Sequence, residues 1–243
     1  MVSPLLTIAM GLRDSTQYTH NASGSIHALK EATTYMLRNA LDFAEMCSLF
    51  GYGYEEHVVT TPDGYLLVLH RILPGDYTLN PKPVVLFQHG LLTNSEFFIA
   101  LSDTHRCLPF VLVDNGYDIW LGNNRYGFIS DMRIFPLDDS TTRGNKYSQK
   151  HTSLPTSSPA FWDFSLDELA KYDMPSFVSY ILTHTNQPNL SYIGFSQGSA
   201  QAFAALSSNK ELNSKLNVFI ALAPIIQPRG YASTILDLIA KKK

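Results

Sequence analysis

Two cysteines, Cys47 and Cys107, are all that the 243 residues contain, too few for the disulfide framework that staples a small secreted scaffold. They are expected as ordinary core or surface thiols. No C-x-x-C and no H-E-x-x-H occurs, so no contiguous metal motif is present and neither metal nor cofactor is expected. Charge is also sparse. Charged residues make up 16% of the chain, and 18 Lys+Arg against 21 Asp+Glu leave a net charge of −3. Without an extended basic run, nucleic acid is not an expected partner. Long apolar runs are missing too. The stretch Val2 to Leu12 is broken by Ser3, Pro4, Thr7 and Gly11, too short to span a bilayer and without the basic start of a secretory signal. No internal repeat or low-complexity tract is visible.

The residues that are present suit a globular α/β chain: 45% are hydrophobic, enough for a sizeable core. Residues 1–36 mix Thr, Ser, Asn and Gly without a clear period and read as an undetermined lead-in. From Glu55 to Leu73 two β-rich runs flank Thr61-Pro62-Asp63-Gly64, whose turn chemistry predicts a hairpin. Pro83 to Gln88 is continuously apolar up to its last residue, the pattern of a strand buried on both faces of a parallel sheet. Leu108 to Asn115 reads as a helix closed by Gly116, and Tyr117 to Leu121 as the next strand. Phe164 to about Thr183 is the strongest helix, opened by Ser165 with Glu168 three residues on, a capping box. Leu190 to Ile193 and Leu216 to Leu222 are further buried strands. Strands alternating with helices predict a mostly parallel sheet, in which ligands sit beyond the carboxyl ends of the strands. Three turns converge at that end: His89-Gly90-Leu91, Gly122 to Arg125, and the residues after Ile193.

Those last residues, Gly194-Phe195-Ser196-Gln197-Gly198, form a G-x-S-x-G pentapeptide between a predicted strand and an alanine-rich predicted helix, Ser199 to Leu206. Strand, sharp turn and helix together make a nucleophile elbow. Gly194 and Gly198 let the two backbones approach, and Ser196 stands at the sheet edge as candidate nucleophile. A developing oxyanion would be met by the backbone N–H of Gln197, directly after the nucleophile, and by one from the turn after the Leu86 strand, assigned to Leu91. His89 in that same turn is expected to shape the loop rather than take part in chemistry.

With these elements in place the chain resembles the acid lipase family, which includes gastric and lysosomal acid lipases and fungal steryl ester hydrolases. The likeness is carried by Tyr54 to Ile72, whose E-x-x-V-x-T-x-D-G-Y-x-L-x-L-x-R-I is a family hallmark. It continues through His89-Gly90-Leu91-Leu92, Leu108 to Leu112, Gly116 to Arg125, Phe161 to Ser165 with Asp167-Glu168, and Gly194 to Gln201. The phrasing around Asn145 to Ser148 and the elbow is most similar to the fungal steryl ester hydrolases. The likeness covers roughly residues 38–239. It implies an α/β-hydrolase fold and a Ser-Asp-His triad with Ser196 as nucleophile and Leu91 and Gln197 as oxyanion donors. It implies neutral lipid esters (steryl ester or triacylglycerol) as substrate, and work at a lipid–water interface on a membrane or lipid droplet.

Two departures temper that expectation. The triad order on this fold is Ser, acid, His, yet no histidine follows His184, and Asp237 is the one aspartate after Ser196. Residues 37–243 are therefore expected to be the N-terminal part of a hydrolase domain, an inactive fragment; the alternative is a pseudo-hydrolase that binds lipid or a partner. Later strands, if missing, would leave an apolar edge beyond Leu222 and make the chain poorly soluble. The second departure is an insertion. The family runs G-N-x-R directly into G-N, whereas residues 126–143 separate Arg125 from Gly144 here. A retained intron and a tolerated surface loop both account for it.

Overall fold

The computed structural model describes residues 22–75, 82–91, 93–125 and 147–226. Its strands are β1 (Gly53–Thr60), β2 (Tyr65–Leu73), β3 (Val84–Gln88), β4 (Asp118–Asn123), β5 (Lys150–His151), β6 (Leu190–Phe195) and β7 (Leu216–Leu222). Its helices are α1 (Ala22–Asn39), α2 (Phe43–Leu49), α3 (Leu108–Asp114), α4 (Leu166–Glu168), α5 (Met174–Thr185), α6 (Gln197–Ser208) and α7 (Lys210–Ser214). One sheet runs β1-β2-β4-β3-β6-β7, with β5 beside β2. Strands β3, β4, β6 and β7 are parallel, while the β1–β2 hairpin joins them antiparallel through β2 and β4.

The continuous apolar runs are explained by two cores, one on each face. Successive strand residues point to opposite sides. Val84 and Leu86 of β3, Trp120 of β4 and Leu190 and Tyr192 of β6 enter a core under α5 and α6, with Phe177, Ile181 and Ala202. Val85 and Phe87, Ile119 and Leu121, and Ile193 enter the other, under α2 and α3, with Phe43, Phe110 and Val113. Both cysteines are buried and free in this second core, so the core reading of the thiols is the right one. Burial pushes the Cys47 thiol up to about 12, which keeps it protonated and unreactive.

Several elements differ from the sequence expectation in instructive ways. The lead-in is not featureless: its last part lies in α1, outside the apolar periodicity because Leu29 and Tyr35 are exposed and none of the described side chains over 28–39 is fully buried. Residues 1–21 and the insertion 126–143 lie outside the described residues. Strand β4 runs on to Asn123, two residues past the expected end. Gly122 allows this, since a Cβ there would lie 3.0 Å from the Phe177 ring. The strongest predicted helix does start with the capping box, Ser165 receiving Asp167 N–H and Glu168 receiving Ser165 N–H. It then opens into a π turn, Leu169–Asp173, before continuing as α5. Pro175 accounts for the slip: it has no N–H to give and its ring would collide with the carbonyl four residues back. Strand β7 is the last strand among the described residues, and Val218 and Ile220 on it are exposed apolar side chains. Unpaired apolar edges of this kind favour self-association.

Candidate active site

The elbow is a local consequence of its two glycines. A Cβ on Gly194 would lie 2.7 Å from the backbone carbonyl of Gly198, and one on Gly198 would lie 2.8 Å from the carbonyl oxygen of His89. Both obstacles are backbone, so neither can rotate away. Ser196, between them, adopts φ 51 and ψ −113, outside every well an L-residue favours. Neighbours on both sides enforce this conformation. Ser196 N–H donates to Leu222 of β7 at 2.9 Å. Its carbonyl starts α6 by accepting from Ser199 N–H at 3.0 Å and Ala200 N–H at 3.3 Å. Tyr192 Oη, buried beneath, donates to the Gly198 carbonyl at 2.9 Å. Gly198→Ala is expected to cost about 1–3 kcal/mol through forced backbone movement between β3 and α6. Urea unfolding measures it, and a loss under about 0.5 kcal/mol would contradict the close approach.

The turn after β3 presses against this serine. A Cβ on Gly90 would lie 3.2 Å from Ser196 Cβ and 3.0 Å from the Phe195 ring, so any larger residue at 90 would push against the elbow by a few tenths of an ångström. Leu91 follows and is 38% exposed. Gln197 is the first residue of α6, where an N–H has no acceptor inside its own helix and points with the positive end of the helix dipole. Ser196, Gln197 and the Gly90-Leu91 turn are thus brought together.

A buried polar scaffold fixes these loops. His89 is fully buried; its Nδ1 lies 2.8 Å from the Gly90 carbonyl and its Nε2 3.2 Å from Asn124 N. Those partners define the neutral tautomer with the proton on Nδ1, and no lone pair remains to take a proton from Ser196. The loop-shaping role expected for His89 is the one its hydrogen bonds describe. Asn124 then exchanges hydrogen bonds with Gln201 of α6 at 2.8 and 3.1 Å, and Gln201 donates to the Leu169 carbonyl in the π turn at 2.9 Å. Beside it Arg125, 1% exposed, donates from its backbone to Asp173 at 2.9 Å and from its guanidinium to both Asp173 and Asp63. It also lies 3.9 Å above the Tyr65 ring. The sequence reading placed the Gly122–Arg125 turn at the site but missed Gln201 and Asp173. A buried glutamine one turn into the helix after the serine carries no motif, and Asp173 becomes meaningful only once the π turn aims it at Arg125.

Burial lowers the His89 pKa to about 4, against about 6.5 in an unfolded chain. The unfolded state therefore binds this proton first as pH falls. His89 supports folding fully above about pH 6.5, and that support is lost as pH drops toward 4, about 2–3 kcal/mol by pH 4.5. Denaturation at pH 7.5 and 4.5 of wild type and His89→Asn tests this: wild type should lose more stability by that amount. An equal loss in both would show that the imidazole is not the source.

An apolar rim surrounds the elbow. Phe97, 43% exposed, stacks on Phe195 at 4.8 Å between centroids. Ile225 N–H donates to Ser199 Oγ at 3.4 Å, and Ile226 beyond it is 77% exposed. Among the described residues no imidazole or carboxylate hydrogen-bonds Ser196 Oγ, and no histidine follows His184 in the chain.

A serine at positive φ, raised between a parallel strand and a helix at the carboxyl end of a doubly covered sheet, has the nucleophile-elbow geometry of the α/β-hydrolase fold. Comparison with known proteins agrees. A family model described as "alpha/beta hydrolase fold" matches residues 83–238, and one described as "Partial alpha/beta-hydrolase lipase region" matches residues 43–102. A probable lipase of Schizosaccharomyces pombe is 44% identical over 211 residues, 87% of this chain and 44% of that protein. Human lysosomal acid lipase/cholesteryl ester hydrolase is 36% identical over 213 residues, 86% of this chain and 47% of that protein. Bovine gastric triacylglycerol lipase is 38% identical over 204 residues, 83% of this chain and 46% of that protein. Among solved structures esterase Est22 shares the fold, with a TM-score of 0.51 at 17% identity over 88% of this chain and 56% of its own. The chain belongs to the α/β-hydrolase fold family, within its acid lipase branch. It spans about half the length of the curated relatives it matches.

Proposed function

We propose that residues 37–243 provide the nucleophile and the oxyanion hole of a carboxylic ester hydrolase acting on neutral lipid esters, steryl ester or triacylglycerol. The single observation that carries the reading is Ser196, held at φ 51 at the start of α6 with Gly90 against its Cβ. Ser196 Oγ attacks the ester carbonyl, and the oxygen that becomes negative lies at the N–H groups of Gln197 and Leu91. The alcohol then leaves, and water releases the acyl group from Ser196. The exposed Leu91, Phe97 and Ile226 suit an acyl chain and a lipid–water interface, on a membrane or lipid-droplet surface. No helix among the described residues is long and apolar enough to cross a membrane.

The Ser196 hydroxyl needs a base to become a competent nucleophile, and no described group hydrogen-bonds it. That favours a second statement: the 243-residue chain by itself is inactive, or binds lipid or a partner without turnover. Hydrolysis of a long-chain p-nitrophenyl ester by the purified chain separates the two, with Ser196→Ala as control. Turnover that disappears in the control would overturn the inactivity and support the nucleophile; a background rate shared by both supports the inactivity.

A further inference from the structure

Far from the elbow, with β2, β4 and β3 in between, a second cluster of chemically capable side chains joins β1 to α5. Glu55 and His57 are two residues apart on β1 and so share a side of the strand. His184 comes from the last turn of α5. One ligand atom from each of the three lies within 4.8 Å of the others. Glu55 Oε2 and His57 Nε2 are already 3.2 Å apart. Two ligands each about 2.0–2.1 Å from a tetrahedral ion are separated by about 3.3 Å. Two of the three positions are thus at metal spacing, and the third belongs to an exposed side chain that can swing inward by an ångström or two.

From this geometry we infer a site for a divalent transition metal of the zinc class, bound by Glu55, His57 Nε2 and the His184 imidazole with water as fourth ligand. Two imidazoles and one carboxylate suit zinc, nickel or copper rather than calcium or magnesium, which select all-oxygen sites. The surroundings support the set. His57 Nδ1 lies 3.0 Å from Tyr180 Oη. Without metal, His57 gives its Nε2 proton to Glu55 and accepts from Tyr180. With metal on Nε2, the same single proton moves to Nδ1 and is donated to Tyr180, the outer hydrogen bond that orients a ligating histidine. Arg71 touches Glu55 at 3.0 Å, but it also makes two 2.8 Å hydrogen bonds to Asp118. Arg71 holds the same Glu55 Oε2 that faces His57, so an ion would either displace Arg71 toward Asp118 or bind the other carboxylate oxygen. Trp120, 4.8 Å from the His57 ring, closes the inner side. A bound ion would tie the edge strand β1 to the C-terminal end of α5.

Titrating the 243-residue chain with Co²⁺ as an optical stand-in for zinc tests the site. One equivalent should give a tetrahedral visible spectrum that added Zn²⁺ removes. His184→Ala alters an exposed side chain and should leave metal-free melting unchanged while weakening Co²⁺ binding about tenfold or more, as should Glu55→Gln. His105→Ala, on a different exposed turn, should bind as the parent does. A parent chain without the tetrahedral spectrum overturns the inference. So does a His184→Ala chain that binds Co²⁺ as tightly as the parent.

Discussion

In a chimera that joins this chain to the unmatched part of the S. pombe probable lipase, Ser196→Ala is expected to lower kcat on a long-chain p-nitrophenyl ester about a million-fold. Removing a nucleophile whose base and oxyanion donors are in place costs about that much, since the remaining groups cannot form the acyl-enzyme. The fold should survive, because alanine and serine face the same constraint at φ 51 and neither glycine contact changes. In the 243-residue chain alone the same substitution should alter the rate by less than about tenfold, since a serine without its base contributes little. The contrast between the two backgrounds is the diagnostic result. Activity persisting in the Ser196→Ala chimera would move the nucleophile elsewhere. A large loss in the short chain would mean that one of its own residues serves as base.

Arg125→Met is expected to destabilise the fold by about 3–5 kcal/mol, read as a lower urea midpoint. The guanidinium is the main compensation for Asp173, which is completely buried. Burial pushes the Asp173 carboxyl up to about 6 even with Arg125 donating to it, so at neutral pH the pair is ionised but Asp173 carries a real desolvation cost. Removing Arg125 leaves that cost unopposed, and breaking one half of a buried pair is the expensive change. Taking away both charges is not. The double variant Arg125→Met/Asp173→Leu should recover most of the loss, and simple addition of the two single effects would contradict the coupling. Asp63 is part-buried and should matter less.

The hairpin, the β3 and β6 runs and the elbow could be read directly from the chain because each is a local pattern. Alternation, a Pro-Asp-Gly turn, or two glycines around a serine dictate their own geometry. The Leu169–Asp173 π turn was hidden behind a good helical period, since the proline that causes it also fits a helix start. Helix α1 was hidden for the opposite reason: an exposed helix with threonines along it has no apolar stripe to announce it. The His89–Asn124–Gln201 relay joins residues 35 and 77 positions apart, and nothing in the neighbourhood of any one of them indicates its partner. The Glu55, His57 and His184 cluster is illegible in sequence for the same reason, because its histidines meet only when β1 packs against α5.

The conformation of Ser196 carries a further consequence. A backbone held outside the favoured wells costs about 1–3 kcal/mol, and glycine at that position would relieve much of it. The hydroxyl is therefore opposed by the stability of the very scaffold that presents it. A search for heat-resistant variants that ignores activity should arrive early at Ser196→Gly, a sturdier molecule without the proposed nucleophile.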